Sequence, residues 1–275
     1  MTGLGTMSSA ASAASASNFS FVQISDSHIG VKLAANDHVA DTLKLAVDAI
    51  NALPAQPAFV VHTGDVTHLS KAAEFDDAKQ ILSALKAPLI AIPGEHDVIG
   101  DSGKNYFATF GRKEAQPEGW YSFDMNGTHF VALVNVFNFE TMGLLGAKQI
   151  DWLRRDLASR KVDTPVVVFG HVPLYALYEK WGWTTEDGTQ ALALLRRFSS
   201  VTVLNGHIHQ VIEHTDGNIR FATLTATAYP QPAPGTAEKP GPLVVPKDRL
   251  LSVLGYRTVE LSPATPPRIA QHALG

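Results

Sequence analysis

Short clusters of carboxylate and imidazole side chains recur along the chain, each directly after a short apolar run. The clusters are Asp26-Ser27-His28, Gly64-Asp65, Gly94-Glu95-His96-Asp97, Gly170-His171 and Gly206-His207-Ile208-His209. Carboxylate oxygens and imidazole nitrogens are suitable ligands for Zn, Mn and Fe, and the chain has no cysteine that could supply a thiolate instead. The sequence therefore predicts a metal site, provided that the fold brings these clusters together.

The apolar runs that precede the clusters indicate how they could meet. The runs are short and rich in β-branched residues, which is typical of strands buried on both faces. They cover residues 19–25, 58–63, 88–93, 165–170 and 201–206. Ligands of an open α/β sheet gather at the carboxyl ends of its strands, so we expect the clusters to share one rim. In an extended chain residues i and i+2 face the same side, which would direct Asp26 and His28 to a common point.

The remaining pattern predicts an α/β domain with a mixed sheet. Helical periodicity covers residues 39–50, 74–85, 147–159 and 189–198, and a last strand is expected over 255–261. Asn126-Gly127 and Asp216-Gly217 stand between strand-like runs and predict two hairpins. Residues 229–242 are rich in proline and are expected to form an irregular loop.

In this order the five clusters resemble the signature of the calcineurin-like metallophosphoesterase family, which reads DxH, GDxx, GNHD or GNHE, GHxx and GHxH. Within that family the chain is most similar to the bacterial phosphodiesterases of the cyclic-nucleotide type. The resemblance extends over about residues 19–261. It implies a two-sheet β-sandwich flanked by helices, with the metal site at the C-terminal ends of the strands. We accordingly predict a flexible Ala/Ser-rich segment at 1–18, the metallophosphoesterase domain at 19–262 and a tail at 263–275.

The resemblance also implies a role for each cluster. Two ions of Mn, Fe or Zn would be held, and a hydroxide bridging them would attack phosphorus in line. His96 would contact the phosphate, with Asp97 as its orienting partner. The implied ligands are Asp26, His28 and His209 for the first metal, Glu95, His171 and His207 for the second, and Asp65 as the bridge between them.

Glu95 departs from the family signature, which has Asn at this position. A carboxylate adds one negative charge and one methylene group to the site. In one interpretation Glu95 still binds the second metal and makes the site less favourable for a highly charged phosphomonoester. In the other it turns away and leaves the second site weak.

Three functional hypotheses follow. The first is hydrolysis of a phosphodiester, such as a cyclic nucleotide or a glycerophosphodiester. The second is a phosphomonoesterase of broad specificity. The third is a catalytically silent binding protein on the same fold, but every ligand position carries a residue able to bind metal. The loops at 105–120 and 181–187 are expected to shape the substrate cleft.

Bulk properties limit the partners and the location. A net charge of −4 offers no basic surface for nucleic acid, and no apolar stretch is long enough to cross a membrane. The family resemblance implies that the partner is a small phosphate ester. The N-terminal segment resembles the end of an export signal, with Ala14-Ser15-Ala16 as a cleavage site, but it lacks a basic region and an apolar core. The hypotheses are a periplasmic protein and, otherwise, a cytoplasmic protein with a flexible terminus.

Some residues outside the clusters have two interpretations. His62 and His68 could contact the site, or they could be ordinary packed histidines. Trp181 and Trp183 could form a wall of the cleft or cover an edge of the core, and Tyr229 presents the same choice.

Overall fold

Two β-sheets pack face to face between helices in the computed structural model, which describes residues 18–137, 143–262 and 265–275. The strands are β1 (Phe19–Ile24), β2 (Val60–His62), β3 (Leu89–Ala91), β4 (Tyr121–Met125), β5 (Thr128–Ala132), β6 (Val166–Gly170), β7 (Val201–Asn205), β8 (Glu213–Asp216), β9 (Ile219–Thr223), β10 (Gly255–Ser262) and β11 (Thr265–Ala273). The helices are α1 (Val39–Asn51), α2 (Ala72–Leu82), α3 (Lys104–Phe110), α4 (Ala147–Ala158), α5 (Gly188–Leu195) and α6 (Leu250–Val253).

The strand order explains why the polar clusters meet. One sheet has the order β11-β10-β1-β2-β3 and the other has β4-β5-β6-β7-β9-β8. Strands β1, β2 and β3 are parallel to one another, and so are β5, β6, β7 and β9. The residues that follow β1, β2, β3, β6 and β7 emerge at one rim, which confirms the predicted two-sheet α/β architecture.

Aromatic side chains fill the space between the two sheets. Phe21 of β1 packs nearly perpendicular to Phe169 of β6, with the ring centroids 5.7 Å apart. Its neighbour Val22 points to the other face and packs with Leu43 of α1. Both faces of β1 are therefore buried, as its continuous apolar run predicts.

The predicted helices and hairpins are present, with ends shifted by a few residues. Helices α1, α2, α4 and α5 correspond to the four helical patterns. Asn126 and Gly127 both have positive φ, at 48° and 80°, as a type I′ turn requires. Gly217 and Asn218 join β8 to β9. The proline-rich segment 229–242 contains no helix or strand, as predicted.

Strand β11 differs from the sequence-based expectation. Residues 263–275 were expected to form a tail, but Thr265–Ala273 pairs antiparallel with β10, so the sheet continues past residue 262. Pro266 and Pro267 obscure this strand in the sequence because proline has no N–H for a ladder. An edge strand tolerates proline, since one of its sides has no neighbouring strand.

The N-terminal segment predicted to be flexible or part of an export signal lies outside the described residues, apart from Asn18. Within the described part of the chain, none of the helices has the length and apolar character needed to cross a membrane.

Candidate metal centre

The structure brings all seven predicted ligands together at the rim. Six of them form two groups of three. Within each group, the potential ligand atoms all lie within 4.8 Å of one another. We call Asp26, His28 and His209 the first group, and Glu95, His171 and His207 the second group. The seventh, Asp65, lies with Asp26 and His171 in a third such set.

The first group connects the end of β1 to the loop after β7. Nε2 of His209 lies 3.3 Å from Oδ1 of Asp26 and 3.3 Å from Nε2 of His28. All three residues are buried, with at most 2% of their surface exposed. Three donor atoms therefore face one another in a space from which water is largely excluded.

The second group is centred on Glu95. Its Oε2 lies 2.8 Å from Nε2 of His171, and its Oε1 lies 2.8 Å from Nδ1 of His207. Oε2 of Glu95 and Nε2 of His171 are nevertheless buried without a hydrogen-bond partner among the described residues. Two buried ligand atoms that lie this close without a hydrogen bond between them are arranged as ligands of a shared ion would be.

Asp65 lies between the two groups. Its Oδ2 is 3.6 Å from Nε2 of His28 in the first group and 3.4 Å from Nε2 of His171 in the second. Its other oxygen, Oδ1, accepts a hydrogen bond of 2.9 Å from the backbone N–H of His96. One carboxylate oxygen is therefore near both groups while the second oxygen fixes its orientation.

The backbone of the site is unusual. Among the described residues, eight non-glycine residues have positive φ, and five of these are predicted ligands: Asp26, His28, Asp65, His207 and His209. The left-handed conformation costs such residues on the order of 1–3 kcal/mol each. The expectation that Asp26 and His28 are held in an extended chain is therefore wrong, since both have left-handed backbone. Strain of this kind is concentrated where side chains are required to converge.

Two of the glycines that open the clusters are needed for close packing. A Cβ atom on Gly64, whose φ is +99°, would lie 2.3 Å from Nδ1 of His171. A Cβ atom on Gly94 would lie 2.1 Å from Oδ1 of Asp65. Any side chain at either position would collide with a predicted ligand.

Backbone carbonyl oxygens orient the imidazole rings of His171 and His209 by hydrogen bonds to Nδ1. Nδ1 of His171 lies 2.7 Å from the carbonyl oxygen of Thr63, and Nδ1 of His209 lies 2.6 Å from that of Tyr229. Because a carbonyl only accepts, each Nδ1 carries a proton, and in the neutral ring Nε2 keeps the lone pair that a metal would bind. Histidines that bind metals commonly donate their other N–H in this way.

The electrostatics also suit cations. Burial alone would raise the pKa of the Asp26 carboxyl, but His209, His171 and His28 hold it well below its ordinary value. Burial likewise opposes ionisation of Glu95, yet His207 and His171 hold its pKa well below the ordinary value. Buried ionised carboxylates need nearby positive charge, and the oxygen and nitrogen donors present are those that Zn, Mn and Fe bind. The residues therefore fit metal ions.

His96 lies beside the two groups, but its partner is not the predicted one. Its Nδ1 is 2.7 Å from the carbonyl oxygen of His68. Asp97 is fully buried, and its carboxylate accepts hydrogen bonds from the backbone N–H groups of Val66, Thr67 and Gly94. Asp97 therefore holds the turns that carry Asp65 and Glu95, and the expectation that it orients the His96 ring is wrong.

A cleft of about 410 Å³ opens over the centre. Its apolar wall is formed by Leu33, Trp181, Tyr229, Pro240 and Pro242, and none of the described residues that line it is Lys or Arg. Trp183 also lines the cleft, although only 1% of its surface is exposed.

Segment 105–120 does not contribute to the lining in the described part of the chain. The proline-rich loop after β9 takes its place, bringing Gln231 as well as Pro240 and Pro242. The expectation that residues 105–120 shape the cleft is therefore wrong. No sequence signal could locate this loop, because its position depends on contacts such as the hydrogen bond from Gln231 Nε2 to the His207 carbonyl oxygen, at 3.0 Å.

His62 and His68 both contact the site. Nε2 of His62 lies 2.8 Å from the hydroxyl oxygen of Ser27, between Asp26 and His28. His68 lines the cleft beside His96.

Comparison with known proteins agrees with this geometry. Residues 19–211 match the calcineurin-like phosphoesterase family. The chain therefore belongs to the calcineurin-like phosphoesterase family, a family of metal-dependent phosphoester hydrolases, as the five clusters predict.

Phosphodiesterases are among the named relatives of this chain. A glycerophosphodiester phosphodiesterase of Enterobacter lignolyticus is 30% identical over 195 residues, covering 68% of this chain and 68% of that protein. A probable cyclic nucleotide phosphodiesterase of Psychrobacter sp. is 24% identical over 180 residues, covering 62% of this chain and 52% of that protein. The predicted resemblance to bacterial phosphodiesterases is confirmed.

The fold is shared more widely. A purple acid phosphatase from yellow lupin (Lupinus luteus) superimposes with a TM-score of 0.68 at 13% identity, over 94% of this chain and 52% of the lupin chain. At this level of identity the likeness shows the fold alone.

Proposed function

We propose that this protein hydrolyses phosphodiesters with two metal ions. The first group would hold one ion, the second group would hold the other, and Asp65 would contact both. Ions bound there supply positive charge for the phosphate oxygens and lower the pKa of water to about 7. The close but unpaired atoms of Glu95 and His171, 2.8 Å apart, are the observation that carries this proposal.

The same observation favours Glu95 as a ligand over a Glu95 that turns away. Both of its carboxylate oxygens lie 2.8 Å from a histidine of the second group. A residue that had left the site would not contact both of these imidazoles.

The chain's own residues would bind and orient the substrate. His96 keeps one proton on Nδ1 through the carbonyl oxygen of His68, which leaves Nε2 for the phosphate or for the leaving oxygen. Burial lowers the pKa of His96, but the charges of Asp65 and Glu95 outweigh this effect and raise it above the ordinary value. A proton at Nε2 could then be passed to the leaving alkoxide.

The charges in the cleft favour a diester over a monoester. A phosphodiester carries one negative charge, whereas a monoester carries nearly two at neutral pH. Glu95 places a third carboxylate in the site alongside Asp26 and Asp65, and no Lys or Arg among the described lining residues offsets it. The relatives named as glycerophosphodiester and cyclic nucleotide phosphodiesterases support the same substrate class.

The test is removal and return of metal. Protein treated with a chelator should lose hydrolysis of an aryl phosphodiester, and Mn²⁺, Zn²⁺ or Fe²⁺ should restore it. The corresponding aryl phosphomonoester, measured in parallel, should be turned over with a lower kcat/KM. Full turnover by verified metal-free protein would refute the mechanism. A protein that binds metal without hydrolysing either ester would instead be a binding member of the family.

A further inference from the structure

His68 contacts two residues of the site although it belongs to neither ligand group. Its ring stacks on that of His96, with centroids 4.7 Å apart and an interplanar angle of 15°. Its Nδ1 lies 3.3 Å from Nδ1 of His28. His68 is half-buried and lines the cleft.

The contact with His28 sets the direction of the hydrogen bond. Nε2 of His28 faces the centre, 3.6 Å from Oδ2 of Asp65, so this is the nitrogen that would bind a metal. A metal-bound nitrogen carries no proton, and the proton of the His28 ring must then be on Nδ1. Nδ1–H of His28 therefore donates, and Nδ1 of His68 must accept.

An accepting Nδ1 places the proton of the neutral His68 ring on Nε2. No group among the described residues pairs with this Nε2, and the ring borders the cleft. Because no described lining residue is Lys or Arg, donors to the phosphate oxygens that the metals would not reach must come from other side chains, such as imidazole.

We propose that His68 is a substrate-binding residue whose Nε2–H donates to a non-bridging oxygen of the phosphate. The ligation of His28 fixes this donor, so metal binding would prepare the site for the phosphoryl group. This inference rests on the proposed function, because it requires a metal on His28.

Two substitutions of His68 test the roles of Nδ1 and Nε2 separately. In His68→Asn the amide can still accept from His28, but it is too short to replace Nε2. In His68→Gln the amide N–H can reach the position of Nε2. We expect His68→Asn to retain both metals while kcat/KM for an aryl phosphodiester falls about 10–100-fold, the loss expected for one hydrogen bond to a charged group.

His68→Gln should recover a substantial part of that loss, and inhibition by inorganic phosphate should weaken only in His68→Asn. His38→Asn is the matched control, since His38 is exposed on the surface and, among the described residues, its side chain pairs with Asp37 and Asp41. Equal losses in His68→Asn and His68→Gln, or unchanged phosphate inhibition in His68→Asn, would overturn the proposal.

A second measurement does not depend on turnover. In ¹⁵N-edited NMR spectra, zinc added to the metal-free protein should place the His68 proton on Nε2, and inorganic phosphate should then shift that resonance. Zinc binding with the His68 proton on Nδ1 would overturn this inference and leave the proposed function intact. Failure to bind zinc, manganese or iron would overturn the proposed function itself.

Discussion

Two clusters of histidine and carboxylate occupy opposite ends of the β5–β6 strand pair. One is the candidate metal centre at the carboxyl ends. The other, which we call the His129 cluster, consists of Ser122, Asp124, His129, Asp156 and Arg160. In the His129 cluster, Nδ1 of His129 lies 2.8 Å from Oδ1 of Asp124 and Nε2 lies 2.7 Å from Oδ2 of Asp156.

The two clusters differ in how their polar atoms are satisfied. In the His129 cluster, Arg160 also binds Asp124, and Ser122 donates to Asp156 at 2.6 Å. Each carboxylate oxygen and each ring nitrogen of His129 therefore has a protein partner, whereas Nε of Arg160 has none among the described residues. None of the five residues has positive φ. In the candidate metal centre, atoms of Glu95 and His171 have no such partner among the described residues, and five predicted ligands have strained backbone. The comparison teaches that residue types alone do not distinguish a structural ion pair from a ligand set.

The largest effect should come from Asp65→Ala. Because one carboxylate lies near both groups, its loss should remove most of both metals and lower kcat/KM on the order of 10³-fold or more, beyond the loss of a single charge-stabilising donor. His209→Ala should mainly weaken the first site. Metal analysis of each variant, alongside diester kinetics, checks this. Two metals per chain and normal activity in Asp65→Ala would show that Asp65 is not shared.

Glu95→Asn should have a smaller and more selective effect. Removing one unit charge a few Å from the phosphate is worth on the order of a few kcal/mol at an effective dielectric near 20, before screening. The ratio of monoester to diester kcat/KM should therefore rise about tenfold or more, measured under one fixed metal. Some loss of overall activity is expected because Asn is shorter. If the ratio does not change while both metals remain bound, Glu95 does not tune substrate charge.

His129→Ala should lower the stability of the fold without changing metal binding or catalytic activity. It leaves the carboxylates of Asp124 and Asp156 without their shared donor, at a cost of about 1–3 kcal/mol in the free energy of unfolding. Urea unfolding measures this cost, while metal content and kcat/KM serve as the control. A loss of metal in this variant would contradict the separation of the two clusters.

The smallest expected effect is the pH dependence of the stability that Asp156 contributes. Burial would raise the pKa of Asp156, but hydrogen bonds from His129 and Ser122 lower it below its ordinary value of 3.8. The folded chain then binds fewer protons here than the unfolded chain, so this stabilisation is present above pH 3.8 and is lost as the pH falls through the lower folded-state pKa.

Asp156→Asn should therefore be about 1 kcal/mol less stable than the wild type at neutral pH, and this difference should shrink as the pH falls below 3.8. Chelated protein should be used at each pH value, so that loss of metal does not contribute. A difference that persists in acid would mean that packing, and not charge, stabilises this position.

The sequence by itself determined the family and the two-sheet α/β class, and it singled out the seven candidate ligands that the structure brings together. This was readable because each polar cluster directly follows a short apolar run, and parallel strands deliver their carboxyl ends to one edge. The Asn126-Gly127 turn was readable for a similar reason, since it depends only on the local backbone.

The tertiary structure alone decided the partners of these residues. The carbonyl oxygen that holds His96, the role of Asp97 in the turns, and the contact of His68 with His28 join segments that are distant in the chain. The same holds for β11, whose prolines are tolerated only because it is an edge strand. Local patterns fix where a side chain lies along its own element, but long-range packing fixes which atoms it meets, and the hydrogen bonds of a site depend on the latter.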